Sequence, residues 1–232
     1  MMQSCLVFSL AASLGAMGEL AGHERRGSLV WPARSAVLGM LGAALGIRRD
    51  GDFSALDALV IDVAIFDAGA PLRDYHTAQT VPSAVVKTPN SRPEALRDAG
   101  RERTNTTITL RDYRAGVLYG VAVRGEGLEA LASALATPRF TLYLGRKSCP
   151  LAAPTGARIV QAETVEAALA HIVVPGWRMT GRDQKSVTAR TLVTSDPSGE
   201  LVHDVAVDRQ RWHFAPRRVA LRPVDIVARG GA

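Results

Sequence analysis

The order in which two hydrophobic periods alternate along the chain constrains the fold more than any composition figure. Leu6–Leu10 is a short apolar run cut off by Gly15 and Gly18, which reads as a buried first strand. From Pro32 onward Val37, Met40, Leu41, Ala44 and Leu45 recur at helical spacing, with Pro32 near the first turn and Gly46 past the last. Leu59, Ile61, Val63 and Ile65 alternate as a strand, and Leu72–Gln79 follows the turn Asp67-Ala68-Gly69-Ala70-Pro71 as its hairpin partner. Val81–Asn105 then loses both periods and collects Pro82, Pro89, Pro93, Arg92, Arg97, Arg101 and Arg103, so a long polar excursion leaves the core there. Strand character resumes in Thr106–Tyr113 and Val117–Val123 around a turn at Arg114-Ala115-Gly116. Leu128, Leu131, Ala132 and Leu135 line a second helix closed by Pro138, and Phe140–Leu144 reads as the last strand.

Strand, helix, strand, insertion, strand, helix, strand is the order of a ferredoxin-like βαββαβ fold of the α+β class, the topology of RNA-recognition motifs, here with extra strands in the hairpins. Beyond Cys149 the pattern changes to Pro150 and Pro154, a short helix Val165–Ile172, and strands around a turn at Asp196-Pro197-Ser198-Gly199. A boundary is therefore expected near residue 149. It separates a ferredoxin-like domain over 1–149, with 81–105 projecting from it, from a smaller β-rich region over 150–232.

Charge supplies the first functional constraint. The chain carries 28 basic against 22 acidic side chains, a net charge of +6, and all the basic ones but Lys87, Lys147 and Lys185 are Arg. Guanidinium groups suit planar, bidentate contact with phosphate, so nucleic acid is the leading partner class. A GC-rich coding bias yields the same Arg excess, so position has to decide. Cys5 and Cys149 lack both metal-knuckle spacing and disulfide density, which suits the cytoplasm. No uncharged apolar stretch reaches the ~18 residues that span a bilayer, so no membrane association is expected.

Converging catalytic groups are sparse. His23, His76, His171, His203 and His213 show no ligand spacing, so no metal is expected. Gly125, Gly127 and Ala130 fit G-x-G-x-x-A, yet Arg146 and Lys147 stand where a dinucleotide site needs an acid, and the run reads as a turn opening a helix. Gly145-Arg146-Lys147-Ser148 lacks the leading glycine of a phosphate loop, so no cofactor is expected. Strand ends and loops do gather cations, hydroxyls and amides: Arg34 and Ser35; Arg73, Tyr75, His76 and Thr77; Arg111 and Tyr113; and Gly145, Arg146, Lys147, Ser148 and Cys149. Such groups suit an RNA backbone, with Tyr or His available for stacking. Arg209, Arg211, Arg217, Arg218 and Arg222 against Asp208 add a basic tail. His23 beside Arg25 and Arg26 leaves a different reading open, a metal-independent endoribonuclease with His23 as base. A third treats the chain as a protein-docking wedge.

Four stretches carry a family resemblance: Trp31-Pro32-Ala33-Arg34-Ser35 with the glycine-punctuated helix that follows, Pro71-Leu72-Arg73-Asp74-Tyr75-His76-Thr77, Thr109-Leu110-Arg111-Asp112-Tyr113, and Tyr143-Leu144-Gly145-Arg146-Lys147-Ser148-Cys149-Pro150-Leu151. They resemble the CasD family, the subunit of the type I-E CRISPR surveillance complex Cascade that holds the five-prime end of the guide RNA. The similar segments organise residues 1 to about 155. The resemblance implies a RAMP-type ferredoxin-like fold and a non-catalytic role at the five-prime handle of the crRNA. It further implies docking on the CasC backbone and the large CasA subunit, target DNA reached through the complex, and a thumb at Val81–Asn105. Where that family has a P-L-Q-S-W-G turn, this chain has Ser13-Leu14-Gly15-Ala16-Met17-Gly18, in which Met17 offers packing but no strong hydrogen bond.

Overall fold

The computed structural model describes residues 2–19, 24–88, 91–179 and 185–230. The elements run β1 (Gln3–Gly15), β2 (Arg25–Arg26), α1 (Arg34–Leu45), α2 (Ser54–Asp57), β3 (Val60–Asp67), β4 (Ala70–Thr80), α3 (Arg92–Ala99), β5 (Asn105–Arg124), α4 (Leu128–Ala136), β6 (Arg158–Ala162), α5 (Val165–Leu169), β7 (Ser186–Asp208) and β8 (His213–Arg229). One sheet holds all eight strands in the order β6-β1-β5-β3-β7-β8, with β2 and β4 paired to the outer half of β5. Every pairing on the main path is antiparallel.

β1 reads as a continuous apolar run because both its faces are covered. Leu6, Phe8 and Leu10 pack with Val37 and Leu41 of α1, Tyr119 of β5 and Leu131 and Leu135 of α4. Cys5, Val7 and Ala11 face the other way, onto Leu118, Ala122 and Leu169. Met17 is fully buried in the first of these cores, so packing is what the altered turn after β1 supplies. Ala33 has no side chain with which to cap α1. The cap comes from β7 instead: the Arg34 backbone N–H donates to Asp204 Oδ2 at 2.8 Å.

Several expectations are corrected. Asp67–Pro71 is not a hairpin turn: β3 and β4 are successive stretches of one edge along β5, pairing Val60 with Arg124 and Thr80 with Asn105. The register shifts by one residue between Ile65 and Asp67, and β3 then breaks off from β4 at Ala68-Gly69, where Gly69 takes φ +65° and a Cβ would lie 2.3 Å from the Ala115 carbonyl oxygen. Arg114 supports this break, donating from Nε to the Ala68 carbonyl at 2.8 Å and from Nη2 to that of Gly69 at 2.6 Å. Arg114-Ala115-Gly116 is likewise no turn, since β5 runs unbroken for 20 residues. The true hairpin connection is the polar excursion, so β4 and the outer half of β5 form a two-stranded ribbon. The excursion also holds α3, whose Ser91 Oγ accepts the Glu94 N–H at 3.4 Å; the S-x-x-E signal of a helix start was present in the sequence.

Phe140–Leu144 is a loop, touching Pro150 through an isolated bridge at Tyr143, and the strand that closes the sheet beside β1 is β6. The division at 149 therefore falls at no break in the sheet, and Val193 and Val219 join the same core as α1 and α4. Asp196–Gly199 is a bulge within β7, Ser195 and Glu200 both opposing Val219. The short helix ends at Leu169, capped by Thr164, whose Oγ1 accepts the Ala167 N–H at 3.1 Å. Among the described residues no helix is long and apolar enough to cross a membrane.

Candidate nucleic-acid interface

The outer half of β5 lies between β2, parallel to it through Arg25↔Leu110 and Arg26↔Arg111, and β4, antiparallel through Arg73↔Asp112 and Tyr75↔Leu110. Because side chains alternate across a strand, this register sorts the residues onto two faces. Arg25, Arg73, Tyr75, Thr77 and Asp112 share one face; Arg26, Asp74, His76, Arg111 and Tyr113 share the other.

On the first face Asp112 is enclosed by two guanidinium groups. Arg73 donates from Nε to Oδ1 at 2.7 Å and from Nη2 to Oδ2 at 3.2 Å, and Arg25 donates from Nε and Nη2 to Oδ2 at 3.1 and 2.9 Å. The Arg73 hydrogen bond, helped by that from Arg25, lowers the Asp112 carboxyl from its ordinary 3.8 to about 2. A carboxyl lowered on folding contributes stability that is fully present above its ordinary value and is lost as pH falls toward the lowered one. We expect a carboxyl-carbon NMR titration to place the Asp112 midpoint near 2; a midpoint in the ordinary aspartate range would mean that the two arginines do not hold it in solution. Tyr75, next along this face, is 69% exposed.

The second face meets the loop after α4. Leu144 N–H donates to the Cys149 carbonyl and Cys149 N–H to that of Arg146, both at 2.8 Å, closing a tight loop over Gly145–Ser148. Ala16 N–H donates to the Leu144 carbonyl at 3.1 Å and so fixes the loop to the end of β1. Gly145 has φ +82°, and a Cβ there would fall 1.6 Å from the Ala16 carbonyl oxygen. Cys149 is fully buried against Ala16 and Tyr113, and burial raises its thiol above the usual range. It supports the loop from below and is not a surface for RNA.

Arg146 joins loop and ribbon. Its guanidinium lies over Tyr113, 4.5 Å from the ring centroid, with Nη1 donating to the Asp112 carbonyl and Nη2 to that of Arg26, each at 3.1 Å. Lys147 and Ser148 are exposed at the tip, and the half-buried Arg111 has an Nε with no acceptor among the described residues. On the second face the structure thus brings Arg26, Arg111 and Tyr113 together with Gly145–Cys149, with the exposed His76 farther along it, while Arg73, Tyr75 and Thr77 stand exposed on the first face.

Arg34 and Ser35 do not join it. Arg34 Nη2 donates to the carbonyls of Asp57 and Leu59 at 2.6 and 3.2 Å, which commits it to the α2–β3 connection. Sequence alone marks Arg25 and Arg26 only as neighbours of His23 and Asp112 only as part of a motif; the pairing of the two arginines on β5 depends on the fold.

A model of the CRISPR-associated Cas5 proteins matches residues 5–220. The chain belongs to the Cas5 family. The match reaches well past residue 155, where the motif resemblance stopped. The Cascade subunit CasD of Escherichia coli K12 is 33% identical over 186 residues, 72% of this Cas5 chain and 76% of the relative. A chain of a solved CRISPR RNA-guided surveillance complex is similar at TM-score 0.72 and 27% identity, covering 97% of this chain and 91% of that one. A crystal structure of a Cas protein is similar at TM-score 0.62 and 25% identity, covering 97% and 98%.

Two more expectations can be placed in this Cas5 chain. The basic tail is largely neutralised: Arg209 meets Asp57 at 2.6 Å, Arg217 meets Asp204 at 2.7 Å and Arg222 meets Glu166 at 3.0 Å. The partners Asp57 and Glu166 come from distant parts of the chain, so counting charges along the tail overstated its basicity. His171, His203 and His213 are exposed, and His23 lies outside the described residues.

Proposed function

We propose that this Cas5 protein is the crRNA-binding subunit of a Cascade-type surveillance complex in antiviral defence, holding the five-prime handle of the guide without cutting it. The observation that carries the reading is Arg146. Stacked on Tyr113 and tied to the carbonyls of Asp112 and Arg26, it joins the loop to the ribbon face that carries Arg26 and Arg111 as one preorganised cationic surface. Phosphates meet guanidinium and loop groups there, and on the opposite face of the ribbon the exposed Tyr75 offers a ring to an unstacked base. Kinship with a protein named as a Cascade subunit points to the same assembly.

The order β6-β1-β5-β3, with α1 and α4 packed on one face, supports a ferredoxin-like βαββαβ core of the RAMP type. The β4–β5 ribbon with the 81–105 connection is the candidate thumb. Partners in this reading are a CasC-type backbone and a CasA-type large subunit, with target DNA reached through the complex, in the cytoplasm.

Replacing Arg146 and Lys147 together by Ala is expected to weaken binding of the repeat-derived handle RNA about tenfold. It should also lower the slope of log affinity against log salt by about one to two units. An unchanged slope would remove this site. Incubated with repeat RNA in EDTA, the protein is expected to leave the RNA intact; cleavage abolished by His23→Ala would replace binding by endoribonuclease chemistry.

A further inference from the structure

We infer that Asp112 is a positioning residue for guide-RNA binding, its carboxylate holding Arg25 and Arg73 as a spaced pair whose outward N–H groups meet the phosphodiester backbone. The inference rests on the crRNA-binding reading above.

An acid set between two exposed arginines of a polyanion-binding ribbon lowers affinity by its charge alone, so its placement calls for a compensating role. Geometry supplies one. Asp112 is 16% exposed beneath guanidinium side chains that are 60% and 43% exposed for Arg25 and Arg73. Both arginines spend the Nε and Nη2 edge on the carboxylate, and their Nη1 groups have no partner among the described residues. A free arginine samples many rotamers, and ordering it is part of the cost of binding. A forked carboxylate orders both before RNA arrives. Arg25 stands on β2 and Arg73 on β4, on opposite sides of β5, so one acid on β5 sets the spacing of two cations on the strands either side of it.

The test turns on a conflict of signs. Asp112→Asn removes a negative charge while nearly preserving shape, so simple electrostatics has every RNA bind more tightly. Positioning has the repeat-derived handle RNA bind about tenfold more weakly, with a scrambled RNA of equal length bound as well as before or better. Asp112→Glu should recover part of the loss. Handle affinity undiminished in Asp112→Asn, with Arg146→Ala/Lys147→Ala still weakened, would overturn the inference and leave the binding reading standing. Full affinity in both variants would sink the two together. Arg25→Gln/Arg73→Gln separates positioning from folding: adding Asp112→Asn to that background should change nothing further, and an additional loss would show that Asp112 acts through the fold.

Discussion

Gly145→Val is expected to unseat the loop that carries Arg146 and Lys147. The backbone there sits at φ +82°, where a non-glycine residue costs about 1–2 kcal/mol. The added Cβ would fall 1.6 Å from the Ala16 carbonyl oxygen, inside a contact between the loop and the end of β1 that cannot open without losing the Ala16–Leu144 hydrogen bond. Relief of such a clash costs a further 1–3 kcal/mol or so. A melting temperature lower by about 10 °C and handle binding weakened at least about tenfold should result. Thermal melting and filter binding on the same preparation check both. A variant that melts like the parent and binds like it would mean that docking on β1 is not what holds the loop.

Asp204→Ala should be as damaging to stability and nearly silent for RNA. This carboxylate is 1% exposed and accepts three donors: the Arg34 backbone N–H at 2.8 Å, and Arg217 Nε and Nη2 at 2.7 and 2.9 Å. Its removal leaves a half-buried guanidinium unpaired and uncaps α1, a loss of about 3–5 kcal/mol. At temperatures where the variant stays folded, its salt slope for RNA should match the parent's, because Asp204 bonds to no residue of the loop or ribbon. Asp204→Asn, which keeps an acceptor, should lose less. A stable Asp204→Ala protein would refute the view that this carboxylate fastens β7 to α1 through the Arg34 N–H and to β8 through Arg217.

Legibility in the sequence followed the range of the interactions involved. α1 and α4 were readable because hydrophobic spacing, Pro32, Gly46 and Pro138 are local signals. The Leu144–Cys149 loop was readable as a motif, although the reason for its glycine was not, since the obstructing oxygen belongs to Ala16. Strand pairing departs from the sequence expectation at Asp67–Pro71, Arg114–Gly116 and Asp196–Gly199, and the expected strand Phe140–Leu144 is a loop. A glycine inside a strand or at the break between two strand stretches looks like a glycine in a hairpin turn until the partner strand is known.

Local periodicity and residue chemistry were enough to set the first strand, the helices α1 and α4, the cationic character, and the candidate residues of the ribbon and the loop. Tertiary structure alone decided that Arg34 serves the fold, that Asp112 gathers Arg25 and Arg73, and that the tail arginines are already paired. The physical reason is that ion pairs and strand register are set by distance in space. Arg25 and Asp112 stand 87 residues apart in the chain and 2.9 Å apart in the fold, and no spacing rule along a sequence encodes that.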